Sequence, residues 1–234
     1  MDEFARAFTT AAALVAGADP ELIEIIGRSL LVSLSAVAIA IVLGMPSGAV
    51  LAIARFPGRK VLIVIVNALM GLPPVVVGLA TYLMLSRAGP LGGLGLLFTP
   101  TAMVIAQAIL ITPILCALTR QVMEDLWTEY AEQLQSFDVT LGAALMTLLW
   151  EGRFTLGTAV LAGLGRALAE VGAVLIVGGN IAHATRVMTT TIALETARGN
   201  LALALALGMI LVALAIAINA AAYLTRDYAM RHGR

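Results

Sequence analysis

The uncharged run 29–54 is the feature that most constrains this chain. A stretch of about 18 or more apolar residues without charge is long enough to cross a bilayer as a helix, and several segments of this chain exceed that length. The chain is 61% hydrophobic and 12% charged, whereas soluble domains are about 45–50% apolar and about 25% charged. The sequence therefore predicts an all-α polytopic membrane protein and excludes a soluble globular protein with a large core.

Five apolar segments are predicted to cross the membrane. They cover residues 29–54, 61–86, 101–118, 154–177 and 201–224. Residues 178–199 are predicted to be a polar external connection. The apolar stretch within residues 1–28 is too short to span and suits an interfacial helix. The predicted transmembrane domain is therefore 29–225, followed by a tail at 226–234.

The basic turn at Arg55, Arg59 and Lys60 sets the predicted orientation, because lysine and arginine accumulate on the cytoplasmic side. Five spans then place the N-terminus outside and the tail in the cytoplasm, in a multi-pass protein of the plasma (inner) membrane. A sixth span near the N-terminus would change this parity, so five and six spans remain alternatives.

Prolines are predicted to interrupt two of the spans. Pro73 and Pro74 would break the second span, and Thr112-Pro113 would break the third, because proline lacks the backbone N–H that continues a helix. The break at Pro73-Pro74 is either a kink for packing or a discontinuous helix that lines a pathway.

Two pairs of residues spaced four apart share a helix face within the predicted spans. Gly44 and Gly48 would let a second helix approach closely. Arg166 and Glu170 place opposite charges in the membrane, where a single charge costs roughly 2.5–3.5 kcal/mol, so the two are expected to pair. The pair is either a structural link within the helix bundle or an element of a gate.

Several chemical functions find no support in the residues. His183 has no histidine, cysteine or acid at ligand spacing, and Cys116 has no second cysteine with which to form a disulfide. No glycine-rich phosphate loop follows a strand, so the chain is not expected to bind ATP or another cofactor itself. The spans lack a nucleophile with a base partner, which argues against an intramembrane enzyme. Zero net charge gives no indication of nucleic acid binding.

The polar segment 120–153 carries six acids and, between its terminal arginines, no lysine or arginine. Residues 124–136, with Phe137, carry aromatic and leucine side chains at helical spacing. A turn is predicted at Asp138, and the apolar piece 139–150 is a second helix too short to span. Long structured loops are usually functional, so a cytoplasmic docking element is favoured over an ordinary solvated loop.

Residues 132–138 (EQLQSFD) resemble the cytoplasmic loop motif of ABC-importer permeases, which begins with glutamate and has a glycine six positions later. Asp138 stands at the glycine position here, and Trp150-Glu151 replaces the usual Leu-Pro near the end of the loop. Aspartate tolerates a left-handed backbone better than most residues, so the turn is expected to survive.

A longer resemblance identifies the group of permeases. The segment 165–200, GRALAEVGAVLIVGGNIAHATRVMTTTIALETARGN, resembles permeases of the sulfate, molybdate and tungstate oxyanion group, as does GLPPVVVGL at 71–79. The strings EVGAVLIVGGN, MTTT and TLLWEGRF are similar to the tungstate-type branch. The similarity covers about residues 29–225.

The resemblance implies the fold of a type I ABC-importer permease, with about five transmembrane helices and a cytoplasmic coupling-helix loop. It implies a homodimer that translocates a tungstate-like oxyanion by alternating access and has no enzymatic activity of its own. The implied partners are a second copy of the chain, ABC ATPase subunits docked through a short helix around Glu132–Asp138, and an extracytoplasmic oxyanion-binding protein. The alternatives are a permease for molybdate or sulfate and, more distantly, an ion-coupled secondary transporter or a channel.

Two sets of candidate site residues follow from the spans and the resemblance. The ATPase-coupling set comprises Glu129, Glu132, Gln133, Ser136, Phe137 and Asp138. The translocation-pathway or gate set comprises Pro73, Pro74, Thr112, Arg166, Glu170 and Asn180. No catalytic or metal-binding residue is predicted.

Overall fold

The structure, a computed structural model, describes residues 9–13, 15–17 and 19–232, and for residues 222 and 225–232 it describes the backbone alone. The described residues form helices, turns and loops without a β-strand. The α-helices of residues 20–232 are α1 (Pro20–Ile53), α2 (Arg59–Met70), α3 (Pro74–Leu85), α4 (Pro100–Ser136), α5 (Leu141–Glu151), α6 (Arg153–Leu168), α7 (Gly172–Gly178), α8 (Met188–Arg198) and α9 (Leu201–His232). A short 3₁₀ helix lies at Gly92–Leu94.

Three helices are long and apolar enough to cross a membrane, namely α1, α4 and the part Leu201–Ala221 of α9. Two further pairs, α2 with α3 and α6 with α7, pass the same test together, but each pair is bent by more than 40° at a short break. Counted as one span each, the bent pairs raise the number to five among the described residues. The predicted all-α membrane fold is confirmed, as is the predicted break at Pro73-Pro74.

The first span begins earlier than its hydropathy indicates. Helix α1 starts at Pro20, and the Asp19 carboxylate accepts the N–H groups of Glu21 and Leu22 at 2.9 and 3.3 Å, which is the pattern of an N-cap. Residues 20–28 of the predicted interfacial segment are therefore part of the helix that carries the span. Residues 1–8, 14 and 18 of that segment lie outside the described residues.

Helix α4 joins the predicted third span to the first half of the predicted loop without interruption. The predicted break at Thr112-Pro113 is wrong, because Pro113 lies inside the helix. The Thr112 hydroxyl donates to the carbonyl of Ala108 at 2.7 Å.

The chain forms two compact units. The first comprises the described residues up to Ala36, with Pro73–Gln107 and Gly165–Ile218. The second comprises Val37–Leu72, Ala108–Leu164 and the described residues from Asn219 onward. Helices α1, α4, α6 and α9 contribute residues to both units.

In the second unit, the predicted glycine pair lets α1 and α4 approach closely. A Cβ atom built on Gly48 would lie 2.3 Å from the carbonyl oxygen of Cys116, and one built on Gly44 would lie 2.8 Å from the carbonyl oxygen of Thr112. Distances this short exclude any side chain larger than hydrogen unless the helices separate. The predicted role of the pair is confirmed.

In the first unit, the segment 178–199 differs from the polar external connection that hydropathy predicts. Much of it is helix α8, which buries Met188, Thr189, Thr190, Thr191 and Glu195. The Thr191 hydroxyl donates to the carbonyl of Val187 at 2.7 Å, and the Thr189 hydroxyl donates to the carbonyl of Glu170 at 2.7 Å. Hydropathy does not register this burial, because polar side chains can be buried when their hydrogen bonds are made within the protein. The external location of the segment stays a prediction.

Candidate functional site

The loop predicted to meet a partner consists of a helix end, a turn and a second helix. Helix α4 ends at Ser136, Asp138 adopts a left-handed backbone with a φ of 50°, and α5 follows. The Thr140 hydroxyl caps α5 by accepting a backbone N–H of its first turn at 3.4 Å. The predicted turn and second helix are confirmed. The short helix expected around Glu132–Asp138 is not, because residues 132–136 are the last turns of the long helix α4.

The inner face of this loop packs on an apolar cluster in the second unit. The buried members of the cluster are Ala49, Ala52, Ile53, Met123 and Leu148. Trp127, Tyr130 and Leu134 pack against it from α4, as their helical spacing predicts. Phe137, which the same spacing would place beside them, is 79% exposed, because α4 ends at the preceding residue.

The outer face of the loop carries acids without basic partners. Glu124 is the exception, since Arg59 donates to its Oε1 at 2.7 Å and Arg120 pairs with its other carboxylate oxygen. Arg153 lies over the Trp150 ring, 4.6 Å from its centroid, and donates to the carbonyl of the same residue at 2.7 Å. The acids that are exposed and make no ion pair within the described structure are Asp125, Glu129, Glu132, Asp138 and Glu151.

A cavity of about 250 Å³ separates the end of α4 from α5. It is lined by Tyr130, Gln133, Leu134, Phe137, Thr147, Leu148 and Glu151. Two large apolar side chains on α5, Met146 and Trp150, are 71% and 70% exposed. We call residues 129–138 together with α5 the loop surface. Exposed apolar and aromatic side chains beside a polar rim are typical of a protein-binding surface.

A second candidate site lies in the first unit, where the second halves of two broken spans pack together. Helix α3 begins at Pro74. A Cβ atom built on Gly78 of α3 would lie 2.7 Å from the Cα of Ala173 in α7, so the two half-helices touch through their backbones. Gly172, the first residue of α7, likewise faces Val75, with 3.0 Å between a built Cβ and Cγ2. The predicted break in the second span therefore adjoins a break in the fourth span that hydropathy does not predict.

The Glu170 carboxylate stabilises the break in the fourth span by an ion pair and a hydrogen bond. Arg166 Nη1 donates to Glu170 Oε2 at 2.6 Å, and Oε1 accepts the N–H of Ala173 at 3.0 Å. The Glu170 side chain is 2% exposed, so a buried charge has both of its oxygens engaged by the protein. The predicted pairing is confirmed, but Glu170 lies in the break after Leu168 and not in a continuous helix. This geometry favours the structural link over the gate.

The remaining pathway candidates cap a helix or make hydrogen bonds within the chain. Pro73 is the N-cap of α3. Asn180 adopts a left-handed backbone with a φ of 49°, its Nδ2 donates to the carbonyl of Thr190 at 3.3 Å, and its Oδ1 accepts the Thr190 hydroxyl at 3.0 Å. Thr112 belongs to the second unit and bonds within its own helix.

Comparison with known proteins decides the family. No family model matches the chain. The tungstate uptake system permease protein TupB of Peptoclostridium acidaminophilum is 39% identical over 227 residues, which cover 95% of this chain and 98% of that protein. The permease protein TupB of Campylobacter jejuni is 36% identical over 202 residues, 86% of this chain and 84% of that protein. The sulfate transport system permease protein CysW of Escherichia coli K12 is 27% identical over 188 residues, 76% of this chain and 63% of that protein.

The chain belongs to the oxyanion permeases of ABC importers. The resemblance to the tungstate-type branch is confirmed with it. Permeases of this kind are transport components rather than enzymes, and the apolar helices of this chain make it a multi-pass membrane protein.

The residues that sequence reasoning missed in this permease are buried polar groups of the first unit. Gln107 lies in the third span and is 4% exposed. Its Nε2 donates to the carbonyl of Ala167 at 3.1 Å, at the end of the helix that precedes the fourth-span break. A lone amide within an apolar span is itself unusual, so that signal could have been found.

Ion pairs and hydrogen bonds of charged side chains hold the loop between α7 and α8 against the first turns of α1. His183, a loop residue as predicted, is 77% exposed and its Nδ1 lies 2.8 Å from Glu24 Oε2. Arg28 donates to the carbonyl of His183 at 2.9 Å, and Arg186 pairs with Glu21 at 3.0 Å. These partners are far apart in sequence, so only the fold identifies them.

Proposed function

We propose that this permease is the membrane subunit of an ATP-driven importer for a tungstate-like oxyanion. The substrate assignment rests on its similarity to tungstate uptake permeases over most of the chain. The more distant similarity to sulfate permeases keeps sulfate, and by chemical likeness molybdate, as alternative substrates. The permease would work as a homodimer in the plasma membrane, with its N-terminus outside, its C-terminus in the cytoplasm and an oxyanion-binding protein delivering the anion.

We infer the coupling to ATP hydrolysis from the loop surface. Its exposed acids lack basic partners among the described residues, and Phe137 and Trp150 are largely exposed beside them. A basic, partly apolar protein surface complements both properties. An anionic membrane surface does not, because it would repel the acids. Each permease copy would therefore bind one ABC ATPase subunit here, with Glu129, Glu132, Gln133, Ser136, Phe137 and Asp138 at the contact.

Helix α4 supports a mechanical link between the loop surface and the membrane. It is uninterrupted over 37 residues, which corresponds to about 55 Å at 1.5 Å per residue. Its last turns belong to the loop surface and its first turns to the third span. Movement of the ATPase subunits would thus be passed to the spans as a rigid-body displacement, as alternating access requires.

The charges of the fourth span support weak binding of the anion during passage. Arg166 is already paired with Glu170, so it contributes little free positive charge to a pathway. An anion held by hydrogen bonds alone is released readily, and transport requires release. Selectivity between similar oxyanions would then rest with the binding protein. Exchanging that protein for one from another oxyanion system should change the transported anion, and unchanged selectivity would contradict this part of the proposal.

Uptake by the reconstituted complex tests the substrate and the energy source. Proteoliposomes containing the permease and its ATPase, supplied with the binding protein, should accumulate labelled tungstate only when ATP is present. A preference for molybdate or sulfate would select an alternative substrate. Accumulation that follows an ion gradient without ATP would instead identify a secondary transporter.

Co-purification tests the docking site separately. Replacing Glu132 with lysine should reduce recovery of the ATPase with the detergent-solubilised permease, because a positive charge would then face a basic partner surface. The matched control is Asp125→Lys, which makes the same change of two charge units at an exposed position of α4 outside the loop surface. Equal recovery with both variants would reject the docking site without bearing on the substrate.

A further inference from the structure

A small polar cavity lies inside the first unit, next to the break in the fourth span. Its volume is about 10 Å³. The lining residues come from α1, α4, the end of α6, the break and the start of α8. Its polar members are Ser29, Ser33, Gln107, Glu170 and Thr189, all of them buried.

One polar atom of this lining is fully buried and lacks a partner among the described residues. Gln107 Oε1 is fully buried and accepts no hydrogen bond from the described residues. The orientation of the amide is set by its other end, because Nε2 donates to the carbonyl of Ala167, where an oxygen would meet a second acceptor. Buried polar groups in native proteins are almost always satisfied by a protein group or by an ordered water.

The neighbouring polar groups do not supply the missing donor. Both Glu170 carboxylate oxygens are occupied by Arg166 and by the N–H of Ala173. The Thr189 hydroxyl donates to the Glu170 carbonyl, and Ser29 Oγ accepts the N–H of Met188 at 2.7 Å. The hydroxyls of Ser29 and Ser33 make no hydrogen bond to Gln107 Oε1 either. The described residues therefore supply no donor for this atom.

We propose that the cavity holds one water molecule that donates a hydrogen bond to Gln107 Oε1. The volume corresponds to the space that one water requires, about 10–15 Å³. The hydroxyls of Ser29 and Ser33 line the same cavity and offer the water further partners. A cation has no net negative charge to attract it there, because Glu170 is balanced by Arg166.

A tetrahedral oxyanion does not fit this site. The cavity has room for a single oxygen-sized ligand, and its free atom is an acceptor that would repel an anion. The water is therefore a structural component at the joint of the broken span and not a step on the anion's pathway. It links α4 to α1 beside the break, and the Gln107 amide already bonds to the end of α6. This inference does not depend on the proposed substrate or on ATP coupling.

Filling the cavity with a methyl group tests the proposal through the direction in which Tm changes. Ser33→Thr adds one methyl group to a lining residue, and we measure the Tm of the purified full-length permease with and without the change Gln107→Met. In the wild-type background the methyl group displaces the water and leaves Gln107 Oε1 without a partner, so Tm should fall by about 2–12 °C. In the Gln107→Met background there is no acceptor to strand, and the same methyl should leave Tm unchanged or raise it.

Two results would overturn the proposal. A rise in Tm in both backgrounds means that the cavity is dry, and an equal fall in both means that the methyl group only crowds its neighbours. A density map of the wild-type complex at a resolution that shows ordered waters provides an independent readout. A peak about 2.5–3.0 Å from Gln107 Oε1 supports the water, and an empty cavity contradicts it.

Discussion

Replacing Gly48 with alanine is expected to destabilise the permease by forcing α1 away from α4. The new Cβ would lie 2.3 Å from the carbonyl oxygen of Cys116 and 3.0 Å from the Cβ of Thr119, whereas ordinary contact begins at 3.4 Å. The closest clash is with backbone, which cannot rotate aside as a flexible side chain can. The helices must therefore separate by about 1 Å, which forfeits a quarter to a half of the dispersion attraction between the atoms in contact.

The size of the effect follows from this overlap. Overpacking of a well-packed interface typically costs about 1–3 kcal/mol. For a chain of this length each kcal/mol corresponds to about 2–4 °C in Tm, so Gly48→Ala should lower Tm by about 2–12 °C. Gly44→Ala should cost less, because its Cβ would lie 2.8 Å from the nearest atom, the carbonyl oxygen of Thr112.

Gly157 provides the matched control. It lies within α6, and a Cβ atom built on it has no neighbour within 4 Å. Alanine is preferred to glycine in a helix by about 1 kcal/mol, so Gly157→Ala should raise Tm by about 2–4 °C. The three variants thus form a series ordered by the space available to one added methyl group.

Thermal unfolding in detergent, followed by tryptophan fluorescence, measures the series. Trp127 packs against the apolar cluster of the second unit and reports on the same region. The expected order of Tm is Gly157→Ala, wild type, Gly44→Ala, Gly48→Ala, from highest to lowest. If Gly48→Ala is as stable as Gly157→Ala, the two helices are not in backbone contact and the reasoning is refuted.

Three further predictions concern the loop surface, the ion pair in the fourth span and the end of α1. Replacing Phe137 and Trp150 together by alanine should reduce the affinity for the ATPase at least about tenfold in a pull-down titration. The Tm should change little, because both side chains are largely exposed. Unchanged affinity would contradict the docking surface. Arg166→Gln should lower Tm more than Glu170→Gln. The first change leaves a carboxylate that is 2% exposed without its partner, whereas the second leaves a guanidinium that is 36% exposed. The reverse order would show that the carboxylate is not buried. Arg59→Lys should lower Tm by about 2–4 °C, because the guanidinium donates at once to two carbonyls at the end of α1 and to a carboxylate. A Tm equal to that of the wild type would show that one ammonium group is sufficient.

The parts of the structure that could be predicted are those governed by local sequence. The Pro73-Pro74 break follows from the missing backbone donor, and the turn at Asp138 follows from a residue that tolerates a left-handed backbone. The close approach at Gly44 and Gly48 follows from their shared helix face. Each of these depends on residues within a few positions of one another.

The parts that could not be predicted depend on partners distant in sequence. Pro113 looks like a break, yet α4 passes through it. The fourth span looks continuous, yet it breaks at Glu170. There the carboxylate accepts the N–H of Ala173, the Thr189 hydroxyl donates to the Glu170 carbonyl, and Arg166 pairs with the carboxylate. A proline or a glycine changes the cost of a break, but the partners available in three dimensions decide whether that cost is met.

The sequence by itself determined that this chain crosses a membrane several times, because long uncharged apolar segments cannot remain in water. Its motifs placed the chain among the oxyanion permeases. Only the tertiary structure decided how buried polar groups are satisfied. It formed a half-buried helix, α8, within the polar segment 178–199, placed two broken spans side by side, and left the buried Gln107 Oε1 without a partner beside a cavity of one water's size. The physical reason is that hydrophobic burial is additive along the chain, whereas a hydrogen bond requires two particular atoms to meet.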